Sequence, residues 1–128
     1  MTLRRSALLA MVAAASAALL TACGGGSDEP TFGSIAVSAS AGQAAMAWNA
    51  DSQAEADRLA RAECGSADCQ VVLQFGQCGA FSADGNLGIW GAASGGSAAA
   101  AQSAAQAQCQ AKGGQNCAVV AALPARCN

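Results

Sequence analysis

Histidine and tyrosine are absent from all 128 residues, and each absence removes a class of chemistry. Histidine is the usual proton carrier near neutral pH, the usual partner of Ser and Cys nucleophiles, and a frequent metal ligand. Charge is also scarce. Six Lys and Arg stand against eight Asp and Glu, and a chain with so few cations cannot neutralise a row of phosphates, so nucleic acid is not an expected partner. Large side chains are few: aromatics make up 4% of a chain that is 53% hydrophobic, the difference being mostly alanine. At about 25 cal/mol per Å² of apolar surface buried, alanine adds little, so the core is thin and covalent staples are expected. Long apolar runs are missing except for residues 7–20 (ALLAMVAAASAALL), which follow Arg4 and Arg5. That run is shorter than the roughly 20 residues of a bilayer span and reads as a signal-peptide core.

The run ends in Leu20, Thr21, Ala22 and Cys23, which resemble the lipobox of bacterial lipoproteins. The resemblance implies cleavage after residue 22, acyl chains of the palmitate kind on Cys23, and a membrane partner reached through that lipid. Gly24 in place of an acidic residue implies the outer membrane, with the domain facing the periplasm or the cell surface. Residues 23–31 (CGGGSDEPT) lack apolar periodicity and read as the lipidated Cys and a flexible tether. The GGG is not a phosphate cradle, because no strand precedes it and no helix follows. Residues 32–128 are then one domain.

Of the seven cysteines, six remain beyond Cys23, an even number in an exported chain. Their spacing follows a repeat in which Trp90 matches Trp48, Cys109 matches Cys64, Cys117 matches Cys69 and Cys127 matches Cys78. If each copy makes the same local bridge, Cys64 pairs with Cys69 and Cys109 with Cys117, leaving Cys78 to join Cys127. Zinc is the competing explanation, but it favours C-x2-4-C pairs, often with His. Here four and seven residues intervene and no His is present, so neither a metal nor another cofactor is expected.

Local signals place the elements. Residues 34–38 and 44–49 read as strands, the second with Met46 and Trp48 on one face. Ser52 and Glu55 form a capping box opening a helix over 53–64, in which Ala56, Leu59, Ala60 and Cys64 make the apolar stripe. Asp57 and Arg61 are spaced as a surface pair on its other side, Glu55 stands three before Arg58, and Gly65 is a left-handed stop. Residues 69–75 set Val71, Leu73 and Phe75 on one strand face. In the second copy, residues 78–83 and 86–92 read as a hairpin joined by Asp84 and Gly85. An uncharged Ala/Gln helix over 97–111 and a strand over 117–123 follow. The expected fold is α+β: two tandem ββαβ repeats forming one domain, with helices packed on an antiparallel sheet and three disulfides.

The order of these motifs resembles a bacterial exported family known as domain of unknown function 4189. The residues that carry it are Gly33, Ile35, Ala36 and Ser38; Ala47, Trp48 and Asn49; Ser52, Ala54, Glu55, Ala56 and Cys64; and Cys69, Val71 and Val72. The second copy supplies Cys78, Gly79 and Ala80; Gly88, Trp90 and Gly91; Ala104 and Cys109; and Cys117, Val119 and Val120. Phe32 and the uncharged second helix depart from the family pattern, and the resemblance implies no particular activity.

The carboxylates of Asp51, Glu55, Asp57, Glu63, Asp68 and Asp84 all have structural reasons to be where they are, at helix starts, helix surfaces and turns. A glycosidase needs two carboxylates facing each other across about 5 to 9.5 Å, and only Asp51 with Asp84 offers such a pair across the copies. The expectation is therefore a non-catalytic, envelope-anchored module that binds a protein or glycan, as a hydrolase inhibitor would. The competing classes are a carboxylate-dependent hydrolase and a purely structural lipoprotein. Trp48 and Trp90 are the candidate ligand contacts, since Trp is enriched at binding hot spots, although so alanine-rich a core has use for both.

Overall fold

A computed structural model describes residues 29–85 and 87–128, so Cys23, the leader and most of the tether lie outside the described residues. The chain runs β1 (Phe32–Ser38), β2 (Gln43–Ala50), α1 (Gln53–Cys64), β3 (Gln70–Phe75), then β4 (Cys78–Asp84), β5 (Ile89–Gly95), α2 (Ala98–Ala111), β6 (Ala118–Val119) and β7 (Arg126–Cys127). Each half thus begins strand, strand, helix, strand. All strand pairs are antiparallel, and the helices pack on the sheets as expected.

The strands divide between two sheets. One has the order β2-β1-β3; in the other β4 lies between β5 and β6, and β7 also pairs with β4. In both, the first strand of the half is central. The sheets face each other, giving four layers in the order α1, sheet, sheet, α2. The sizes of the side chains explain this. The outer face of β1 carries Ser34, Ala36 and Ser38, small enough for α1 to approach, and Ala36 packs with Ala45, Ala47, Ala60, Cys64 and Cys69. Its inner face carries Ile35 and Val37, which meet Met46, Phe75, Phe81, Ala83 and Ala92 between the sheets. On the far side, Cys78, Ala80 and Ala93 receive Ala101 and Ala105 of α2. Strands β1 and β4 are consequently buried on both faces, where a single helix-backed sheet would leave one face wet.

Close approach is decisive at β5. A Cβ on Gly91 would collide with the backbone of Ala105 and Cys109, and one on Gly95 with that of Ala101, so α2 lies directly on the strand. Only its Ala101, Ala105 and Cys109 stripe is buried, and much of the remaining Ala, Gln and Ser surface is exposed.

The caps follow the local signals. Ser52 Oγ accepts from the Glu55 N–H at 3.1 Å, and Gly65 stops α1 with φ 77°. Ser97 caps α2 in the same way at 3.1 Å. The Glu55 carboxylate, however, turns to Arg58 at 2.7 Å instead of returning to the cap, because the guanidinium offers two charge-assisted donors. Asp57 does not pair with Arg61: it turns inward and accepts from Ser34, Gln53 and Gln74.

The second half departs further from expectation. The hairpin loop has four residues, with Asp84 opposite Ile89 and positive φ at Gly85 and Leu87. The strand expected over 117–123 pairs only at Ala118 and Val119; a turn closed by the Leu123 N–H on the Val120 carbonyl then takes the chain out of the sheet. The structure joins Cys64 to Cys69, Cys109 to Cys117 and Cys78 to Cys127. The last of these ties β4 to β7, where the two residues are direct cross-strand partners.

Candidate functional site

A slot of about 470 Å³ runs along β2, lined by Ala44, Ala45, Met46, Ala47 and Trp48 in unbroken succession. Side chains alternate across a strand, so five consecutive residues line one slot only when the slot follows the strand's edge and its floor is backbone. Strand β2 is an edge strand, paired with β1 on its other side alone. Leu59 and Glu63 of α1 form one wall, and Ala122, Leu123, Pro124 and Arg126 form the other. A second opening, lined among others by Ala44, Glu63, Ala122 and Leu123, continues the slot past Gln43 toward Gly85 and Leu87.

The C-terminal wall has little secondary structure of its own and is held from its ends. The Cys78–Cys127 disulfide fixes it to β4. Asn128 then acts as a clasp: its backbone N–H donates to the Gln77 carbonyl at 2.8 Å, and its Nδ2 donates to the carbonyls of Thr31 and Phe75 at 3.3 and 3.2 Å. Its Oδ1 accepts from the Asn49 N–H at 2.8 Å, at the end of the β2 edge. The wall is thereby pinned against both sheets.

The two candidate tryptophans part company here. Trp90 stacks on Phe81 with ring centres 5.8 Å apart and packs against the central core, with Lys112 Nζ 4.2 Å from its ring centre. Trp48 is 39% exposed at the end of the slot, and the Arg126 guanidinium lies over its ring. Both sit on the second strand of their half, but Met46 and Ala44 already supply the β2 contribution to the core, which leaves Trp48 beyond its rim. Arg126 carries no signal in the sequence apart from being the lone cation between Cys117 and the end.

The carboxylates that have hydrogen-bond partners do not share them. Asp84 Oδ2 accepts from the backbone N–H groups of Gln115 and Asn116 at 2.7 and 3.2 Å, closing the loop after α2. Asp51 is exposed just ahead of α1, and no hydrogen bond joins it to Asp84 among the described residues. Asp68 gathers the hydroxyls of Ser38, Ser40 and Ser66, which hold its carboxyl well below the usual carboxylate range. Partial burial opposes the charge on Asp57, but hydrogen bonds from Ser34, Gln53 and Gln74 outweigh it and lower its pKa. The Arg58 guanidinium lowers that of Glu55. Among the described residues no three metal-ligating side chains converge, and no helix is long and apolar enough to cross a membrane.

Two helix-backed antiparallel sheets, stapled by disulfides and slotted along one edge, define an α+β sandwich. The model of the family described as Domain of unknown function (DUF4189) matches residues 32–123, and the chain belongs to that family. Among solved structures, the NMR structure of Rv1813c from Mycobacterium tuberculosis is similar, with 21% sequence identity and a TM-score of 0.58 over 98% of this chain and 99% of that one. At that identity the likeness shows the fold alone. No curated protein matches the chain.

Proposed function

We propose that the protein is a non-catalytic binding module held on the cell envelope by lipid at Cys23, and that the β2 slot is its recognition surface. The observation that carries this reading is the exposure of Trp48 at the slot under the Arg126 guanidinium, in a chain with so few large side chains to spare. An apolar ring with a cation over it, beside a preformed concave surface, suits recognition of another envelope macromolecule. The walls favour the same reading, since a groove fixed by a disulfide and the Asn128 clasp loses little entropy on binding. Asp84 is taken up by the loop after α2, and among the described residues exposed Asp51 shares no hydrogen bond with it, which supports a role without catalysis.

The test is photo-crosslinking in the native envelope from a probe at Ala122 inside the slot, with a probe at exposed Val119 as the control. A product specific to position 122 that disappears in Trp48→Ala and persists in an Asp51→Asn/Asp84→Asn double variant is the expected result. Identical products from both positions, unaffected by Trp48→Ala, would overturn it.

A further inference from the structure

The geometry points to a specific mode of recognition that rests on the binding role proposed for the slot: an extended peptide with an acidic side chain adds to β2 as a fourth strand of the first sheet. Three observations carry it. The slot follows the backbone edge of Ala44 through Trp48, and among the described residues no group outside the sheet bonds to that stretch of backbone; the flanking contacts are the Asn49 N–H to Asn128 Oδ1 and Cys64 Sγ 3.8 Å from the Gln43 carbonyl. In an antiparallel pair every second residue turns its N–H and C=O away from the partner, so this edge offers a regular set of donors and acceptors.

The middle of the strand also lacks the usual guards. Natural edges are blunted by charge, proline or bulges, and β2 (QAAMAWNA) has neither charge nor proline. Its pairing with β1 is regular from Gln43 to Ala47, and its one extra residue falls at Trp48 and Asn49, where Asn49 takes φ 57°, so the regular open edge is Ala44–Ala47 with Trp48 at its end. The third observation is the shape and charge of the walls. Leu59 and Glu63 stand on one side and Leu123, Pro124 and Arg126 on the other, so the slot takes a single strand and obstructs the edge of a second copy. Arg126 forms no salt bridge among the described residues, and it stands at the Trp48 end, where a carboxylate on the incoming strand would meet it. Main-chain bonds to the floor would supply affinity, and the Trp48–Arg126 end would supply selectivity.

The experiment uses the uniformly ¹⁵N-labelled full chain, as the cell processes it, in detergent. The probes are synthetic octapeptides of alternating Val and Thr that carry Glu at one end, carry Lys in its place, or have Pro at the centre. An acidic oligosaccharide, oligogalacturonate, is run in parallel. Strand addition predicts that the Glu peptide slows amide exchange at residues 44–48, that the Lys peptide binds about fivefold more weakly, and that the Pro peptide fails to slow exchange. Arg126→Glu should reverse the Glu over Lys preference; that exposed substitution leaves β2 and the disulfides intact. Oligogalacturonate that shifts Trp48 without slowing exchange at 44–48, with all peptides inert, overturns strand addition while the binding role stands. If no probe acts at millimolar concentration, strand addition and the binding role are both overturned.

Discussion

Cζ of Arg126 lies 4.7 Å from the centre of the Trp48 ring, joining the last strand of the chain to the free edge of the first sheet. Trp48 is 39% exposed, so it contributes less to folding than a ring packed on the core. Trp48→Ala is expected to cost about 1–2 kcal/mol, whereas Trp90→Ala, stacked on fully buried Phe81, is expected to cost about 3 kcal/mol. Urea unfolding of the two variants checks the contrast, and equal losses would show that Trp48 is a core residue after all.

The disulfides differ in what they close. By loop entropy the Cys78–Cys127 bridge, spanning 49 residues, is worth about 4 kcal/mol, and Cys64–Cys69, spanning 5, about 2 kcal/mol. Replacing both members of a bridge by Ser should therefore lower the denaturant midpoint more for the first pair. The same replacement should also release the Leu123–Arg126 wall, seen as faster amide exchange at Asn49.

Acid should weaken the fold through its hydrogen-bonded carboxylates. Asp68 and Asp57 both have folded pKa values below the ordinary aspartate value of about 3.9, so the native state binds fewer protons than the unfolded one. Their contribution is complete above that value and is lost as pH falls through the lower folded pKa. Stability measured by denaturant at successive pH values should fall below about pH 4. Asp68→Asn should flatten that fall, and an unchanged slope would show that the three serines do not hold the carboxylate in solution.

Gly91→Ala tests the helix-on-strand contact. The obstacle to a Cβ there is the backbone of Ala105 and Cys109, which cannot rotate away, so the loss should reach or exceed the roughly 1–3 kcal/mol usual for overpacking. Gly76→Ala meets no neighbouring atom and should change stability by under about 1 kcal/mol. Thermal melts of the two variants distinguish a packing requirement from a general need for glycine.

Much of the local structure is legible because its causes are local. Ser52 announces its cap through a residue three positions away, Gly65 stops the helix by its own backbone freedom, and the cysteine spacing limits which bridges close. The role of Asp57 was not legible: the helical spacing names Arg61, but the donors it takes come from β1, β3 and Gln53. The strand expected after Cys117 stops at Val119 for a comparable reason. A period of alternation shows that a strand can form there, while the partner strand decides how far pairing extends.

The sequence by itself determined the α+β class, the helix ends and the family, and it made the cysteine pairing conditional on a repeat, since these depend on short-range hydrogen bonds and the order of motifs. Tertiary structure alone decided that there are two sheets, that Trp90 packs on the core while Trp48 stands at the rim of the slot, and that β2 keeps an open edge. Each of those facts depends on what covers a strand's second face or free side. The covering groups come from distant parts of the chain: Phe75 and Phe81 between the sheets, and Arg126 across the slot.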